Sequence, residues 1–171
     1  MPRPRQPFRP STEWLICQAQ VRRAFKRVFK EQCTEDFFET YGPLVFAAVG
    51  PSTRRRAPKP EKEGNKIVMR YGGWGFRTAD NDRMLCELLH RDPVRTAAIL
   101  HAVAKLWEHK RGSDVMVAVD WISGRKRMMG DKQWPWLSVQ TASEIVRETG
   151  RKSISEQTVK DALKLIRRQH S

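Results

Sequence analysis

The 171-residue chain carries 33 Lys and Arg against 19 Asp and Glu, a formal net charge of +14 at pH 7. Self-repulsion opposes compaction at such an imbalance, so the composition points to a polyanionic partner, nucleic acid first, and away from an acidic mimic that fills another protein's nucleic-acid channel. With 39% hydrophobic residues, six Trp and seven Phe, the chain is too apolar for wholesale disorder, and its length suits one compact domain or two small units sharing a core.

The first ten residues, MPRPRQPFRP, alternate Pro with Arg3, Arg5 and Arg9 and lack the apolar run of a signal peptide. Residues 1–10 are therefore expected to be a disordered basic arm, either lying along phosphates or simply solvated. Residues 11–49 read as an N-terminal helical segment. Ser11 or Thr12 can cap a helix reaching about Lys30, in which Trp14, Cys17, Val21, Ala24, Phe25 and Val28 recur at three- and four-residue spacing. Its opposite face carries Arg22, Arg23, Lys26, Arg27 and Lys30. Like charges this dense repel one another unless something neutralises them, which makes the five candidates for phosphate contact; the alternative is a solvated basic face. Thr34, followed by Glu35 and Asp36, starts a second helix with Phe37, Phe38 and Tyr41 turned inward. Gly42-Pro43 is expected to interrupt it ahead of the apolar stretch from Leu44 to Val49.

Residues 50–66, GPSTRRRAPKPEKEGNK, hold three prolines, two glycines and no large apolar side chain, the composition of an exposed basic linker. Arg54, Arg55 and Arg56 within it are either a phosphate clamp or part of a solvated loop. From 67 to 171 the pattern is that of a C-terminal helical domain. At its start, Trp74 and Phe76 stand among Gly72, Gly73 and Gly75 beside Arg70 and Arg77, and Trp74 is a candidate to stack on unpaired bases; packing into the core at a tight bend is the other reading. Helices follow from Thr78 or Asp80 through Leu89, and again from Asp92-Pro93. The second is apolar almost all round, as an enclosed helix would be, and its His101 reads as a hydrogen-bonded core histidine. Beyond Gly112 the alternation Val115, Val117, Val119 predicts a small β-hairpin near 115–129, turning at Ser123-Gly124 and carrying Arg125, Lys126 and Arg127 at its tip for backbone contact or as a solvated turn.

Residues 134–169 carry the most pointed pattern. Thr141-Ala-Ser-Glu144 and Ser153-Ile-Ser-Glu156 read as two capping boxes, with Gly150 closing the first helix. In the second helix Val159, Ala162, Leu163 and Ile166 form one apolar face, leaving Gln157, Lys160, Lys164, Arg167 and Arg168 outward. A short helix, a connection and a second helix with a polar, basic outer face is the organisation of a helix-turn-helix, and Gln, Lys and Arg are chemically competent to read adenine and guanine. The run Ser155-x-x-Thr158-Val159-x-x-Ala162-Leu163-x-x-Ile166 resembles the recognition helix of winged-helix DNA-binding proteins. The preceding Trp134-x-Trp136 with Ser138 is similar to the approach in plasmid and phage replication proteins. The resemblance covers about a fifth of the chain and implies DNA binding through that helix; the alternative reading is that the pair simply completes a helical bundle.

Cys17, Cys33 and Cys86 are odd in number and far apart, no Cys-x-x-Cys pair exists, and neither a disulfide framework nor a zinc site is expected. Asp114, Asp120 and Asp131 are dispersed, so no carboxylate group for metal-dependent nuclease chemistry is visible, and no cofactor is expected. The fold class expected is mainly α: a helical bundle with the small hairpin and a C-terminal helix-turn-helix-like pair. The function expected is non-enzymatic nucleic-acid binding by a soluble, cytoplasmic protein without a membrane partner, as a DNA-binding regulator or replication accessory. The alternative is a basic structural subunit of a ribonucleoprotein, such as the small subunit of a CRISPR effector, binding RNA or single-stranded DNA beside other protein subunits; charge on every predicted element favours it.

Overall fold

A computed structural model describes residues 11–50, 56–72, 79–130 and 133–171. The fold is mainly helical. Its elements are α1 (Thr12–Phe29), α2 (Glu35–Val49), β1 (Arg56–Glu63), β2 (Lys66–Gly72), α3 (Ala79–Arg91), α4 (Pro93–Arg111), α5 (Asp114–Met129), α6 (Ser138–Thr149) and α7 (Glu156–His170). They divide into two compact units. One takes the chain up to Ile16 together with Arg111–Ser171; the other is Cys17–Lys110. Within the Cys17–Lys110 unit, α3 and α4 pack with α2.

In the Cys17–Lys110 unit, rings from α1 and α2 interlock: Phe25 meets Phe38 edge-on at 5.6 Å between centroids, and Phe29 lies 4.9 Å from Phe37. Thr34 caps α2 as its sequence predicts, its hydroxyl accepting from the Phe37 amide at 3.2 Å. The expected break at Gly42-Pro43 does not occur; α2 runs straight through Pro43. Pro43 removes one intrahelical donor, but Val45, Phe46, Ala47 and Val49 beyond it are all buried, and burying four apolar side chains outweighs one lost bond. Gly42 is buried under the Phe38 ring, where an added Cβ would stand only 2.6 Å from the ring's Cε2. A single residue, Asp92, separates α3 from α4 and caps the latter, its carboxylate accepting from the Arg95 amide at 3.1 Å. The Phe46 ring stands perpendicular to that of Trp107 at 5.7 Å, joining α2 to α4. His101 is exposed, not a core residue: the buried positions of α4 are Thr96, Ile99, Leu100, Val103, Ala104 and Trp107, a stripe that leaves 101 on the far side.

The expected linker of residues 50–66 is in part ordered: β1 and β2 pair antiparallel, with Glu63 opposite Lys66 and Lys59 opposite Arg70. Gly64 at the turn has φ +63°, the positive value that a type II′ turn places at its first central residue. The mostly apolar 67–71 run supplies the partner strand that the polar 56–63 run lacks by itself.

In the other unit, the hairpin expected near 115–129 is absent, and α5 occupies the whole stretch. Ser113 caps it, and Met116, Ala118, Val119 and Ile122 are buried at helical spacing. Packing thus overrides the β preference of alternating valines, which is an environmental preference more than a backbone one. Ala118, Val119 and Ile122 join Ala142, Ile145, Ile154, Val159, Ala162, Leu163 and Ile166 in one core built from α5, α6 and α7. The α6 start also differs from expectation: the helix begins at Ser138, and Thr141 is fully buried inside it. There its hydroxyl donates to the Leu137 carbonyl at 3.0 Å and accepts from the Trp134 indole at 2.9 Å. Gly150 ends α6 in the left-handed region, φ +70°, as predicted. The cap of α7 is Ser155 rather than Ser153. Ser155 and Thr158 exchange backbone-to-hydroxyl hydrogen bonds at 3.3 Å each, while Ile154 inserts into the core.

Candidate nucleic-acid interface

The basic residues singled out from sequence fall into three states once their neighbours are known. Some are neutralised within the fold. Arg22 pairs with Glu35 and its guanidinium lies 4.3 Å from the centroid of the Phe38 ring, so it belongs to the packing between α1 and α2. Arg125 is bound by Glu148 and stacks over Trp121 at 4.8 Å, and Glu148 also accepts from the Trp121 indole at 2.7 Å. On α7, Lys160 pairs with Glu156 at 2.7 Å and Gln157 donates to Asp161 at 3.1 Å.

A second group is exposed with no carboxylate bound to it among the described residues: Arg23, Lys26, Arg27 and Lys30 in the Cys17–Lys110 unit, and Lys164, Arg167 and Arg168 on α7. Lys126 and Arg127 close the last turn of α5, where they complement the helix dipole rather than decorate a hairpin tip. The third group is Arg54, Arg55, Arg56 and Trp74. Arg54, Arg55 and Trp74, like the 1–10 arm, fall outside the described residues, and Arg56 is located only as the first residue of β1.

α7 is seated by its apolar stripe, Val159, Ala162, Leu163 and Ile166, which fixes which side chains face outward. Its first two turns are occupied by internal pairs, and its last two present Lys164, Arg167 and Arg168. On α1, Arg23 stands three residues from Lys26 and four from Arg27, and each such like-charge pair costs about 0.2–0.5 kcal/mol in the absence of a counter-charge. The helix dipole favours Lys26 and Arg27 in the last turn, but not Arg23.

Two sets of contacts could not be read from the sequence. Arg151, in the connection between α6 and α7, donates to the Gly112 carbonyl at 2.6 Å and pairs with Asp114 at 3.3 Å, tying that connection to the start of α5. Trp121, Trp134 and Trp136 form a half-buried triad with centroids 5.2–5.9 Å apart. The partners of Arg151 lie almost forty residues away in sequence, and those of Trp121 more than ten, so local spacing carried no signal for either.

Two titratable groups are shifted. Burial, and then the Glu13 carboxylate, raise Asp120 above the usual Asp range, against the opposing pull of Arg111 and Arg127. Burial raises the Cys33 thiol, which Lys26 and Arg22 lower and Glu35 raises, so Cys33 is held in the protonated, weakly nucleophilic form. Among the described residues no group of three or more His, Cys, Asp and Glu is placed to hold a metal ion, and no helix is long and apolar enough to cross a membrane. Comparison with protein-family models, with curated proteins and with solved structures returns no match.

Proposed function

We propose that the protein binds nucleic acid without catalysing a reaction, holding the phosphate backbone through Lys and Arg, with α6, the 150–155 connection and α7 acting as a helix-turn-helix in a DNA-binding regulator or replication accessory. The observation that carries this is the outer face of α7. It holds three exposed cations, Lys164, Arg167 and Arg168, with no carboxylate bound to them among the described residues, on a helix whose other face is fixed in a core with α5 and α6. A chain of net charge +14 with unneutralised cations on a rigid helix is suited to displacing counterions from a phosphate backbone. Because Gln157 and Lys160 are engaged with Asp161 and Glu156, base reading by either requires those pairs to open, whereas phosphate contact at the far end of α7 requires no rearrangement.

A second reading is a structural subunit of a ribonucleoprotein, contacting RNA or single-stranded DNA. The observation that favours it is the unneutralised basic face of α1, outside the α5–α7 core, since a sequence-specific regulator concentrates its charge on one face.

The test is fluorescence anisotropy against duplex DNA, single-stranded DNA and single-stranded RNA of equal length across a salt series, with Lys164→Ala/Arg168→Ala beside the wild type. Weaker duplex binding by the variant with an unchanged circular dichroism spectrum is the expected result. Wild-type affinity in a folded variant overturns the role of α7, and preference for RNA or single strands selects the second reading.

A further inference from the structure

We infer that Arg23, Lys26 and Arg27 on α1 form a second phosphate-contacting face, working in parallel with that of α7; the inference rests on the nucleic-acid reading above. It deepens that reading by separating the four basic residues of α1, Arg22, Arg23, Lys26 and Arg27, into two kinds. Arg22 is consumed by Glu35 and Phe38 and is excluded from the face. The other three are exposed, point away from the stripe of Val21, Phe25 and Phe29 that is buried in the core, and have no carboxylate bound to them among the described residues. Arg23 to Arg27 spans about 6 Å of helix axis, the length of about two phosphate steps along one strand.

The kind of polyanion follows from what the face lacks. A helix that lies on an anionic lipid surface buries an exposed apolar stripe among the acyl chains. On α1 that stripe is already committed to the protein core, and the large exposed hydrophobic side chains of the described residues, Val94, Met128, Leu137 and Val139, all lie elsewhere. A face of cations on long stems with no apolar wedge matches a nucleic-acid backbone instead. The face lies in the Cys17–Lys110 unit, and α7 belongs to the other.

The experiment compares the wild type with Arg23→Gln/Lys26→Gln/Arg27→Gln, with Lys164→Gln/Arg167→Gln/Arg168→Gln and with the six-fold variant, measuring duplex DNA affinity as a function of salt. Each triple variant is expected to lower the slope of log affinity against log salt by up to about 2.7, so that between 50 and 200 mM salt the wild type loses about 40-fold more affinity than either variant. The six-fold variant is expected to show the sum of the two changes. A charge-keeping Arg23→Lys/Arg27→Lys variant retains the wild-type slope, which separates loss of charge from loss of fold. An α1 triple variant that keeps the wild-type slope while the α7 variant loses its share overturns the inference and leaves the nucleic-acid reading standing. Absence of wild-type binding to every nucleic acid overturns that reading itself. Binding to anionic phospholipid vesicles that depends on Arg23, Lys26 and Arg27, with an unchanged nucleic-acid slope, assigns the face to a membrane and likewise overturns the inference.

Discussion

Gly124 lies in the interior of α5, and replacing it by Ala gives opposite results for a helix and for a hairpin turn. In a helix interior Gly is less favourable than Ala by about 0.5–1 kcal/mol, because its unfolded backbone has more freedom to lose. At Gly124 an added Cβ meets nothing within 4 Å, and the residue does not have a positive φ, so no steric or backbone strain opposes that gain. Gly124→Ala is therefore expected to stabilise the protein by about 0.5–1 kcal/mol, raising the melting temperature by about 1–4 °C for a chain of this size. Urea unfolding followed by far-ultraviolet circular dichroism measures it, with an unchanged m-value showing that the folded and unfolded states keep their compactness. Were Ser123-Gly124 the two-residue turn of a hairpin, the glycine would sit at positive φ and Ala would destabilise. A drop in stability for Gly124→Ala refutes the helical account of 114–129 and restores the basic tip that the alternating valines suggest.

Gly42→Ala has the reverse sign, since its Cβ must displace the Phe38 ring from 2.6 Å; a loss of about 1–3 kcal/mol is expected in the same urea assay. Phe38→Leu in that background makes room and recovers part of the loss, and an unaffected Gly42→Ala variant refutes the close approach. Asp120 gives a pH dependence of known direction. Its carboxyl titrates higher folded than unfolded, so between those two values the folded chain holds more protons and stability falls as pH rises through the window. Asp120→Asn is expected to be more stable than the wild type at pH 7 and to match it at pH 3; an identical gap at both refutes the shift.

Local chemistry in the sequence reaches the structure where the signal is self-contained. Thr34 before Glu35 and Asp36, Asp92 before Pro93, and Gly150 after the last turn of α6 each complete a cap within a few residues, and each is found as read. The failures arise where a distant partner decides. Val115, Val117 and Val119 alternate like a strand, yet the α6–α7 core takes them as a helix. Thr141 is a good capping residue by type, but the Trp134 indole claims its hydroxyl inside the helix. Sequence singled out the exposed cations of α1 and α7, but it had no means of setting aside Arg22 and Arg125, whose acids lie 13 and 23 residues away. The internal pairs on α7 were readable in principle, because Lys160 and Glu156, and Gln157 and Asp161, stand at the four-residue spacing at which helix side chains meet.

The division of the chain has a consequence for how it comes to be folded. Thr12 donates a hydrogen bond to Gln169, 157 positions away, inside a unit assembled from both sides of an uninterrupted Cys17–Lys110 insert. During synthesis the insert has all of its residues before α5 exists, so it is free to condense first and to remove most of the flexible chain between Thr12 and Gln169. What would otherwise be one very long loop closure then becomes the docking of a short leading segment onto a late three-helix core, a lower entropic barrier than the sequence separation alone implies.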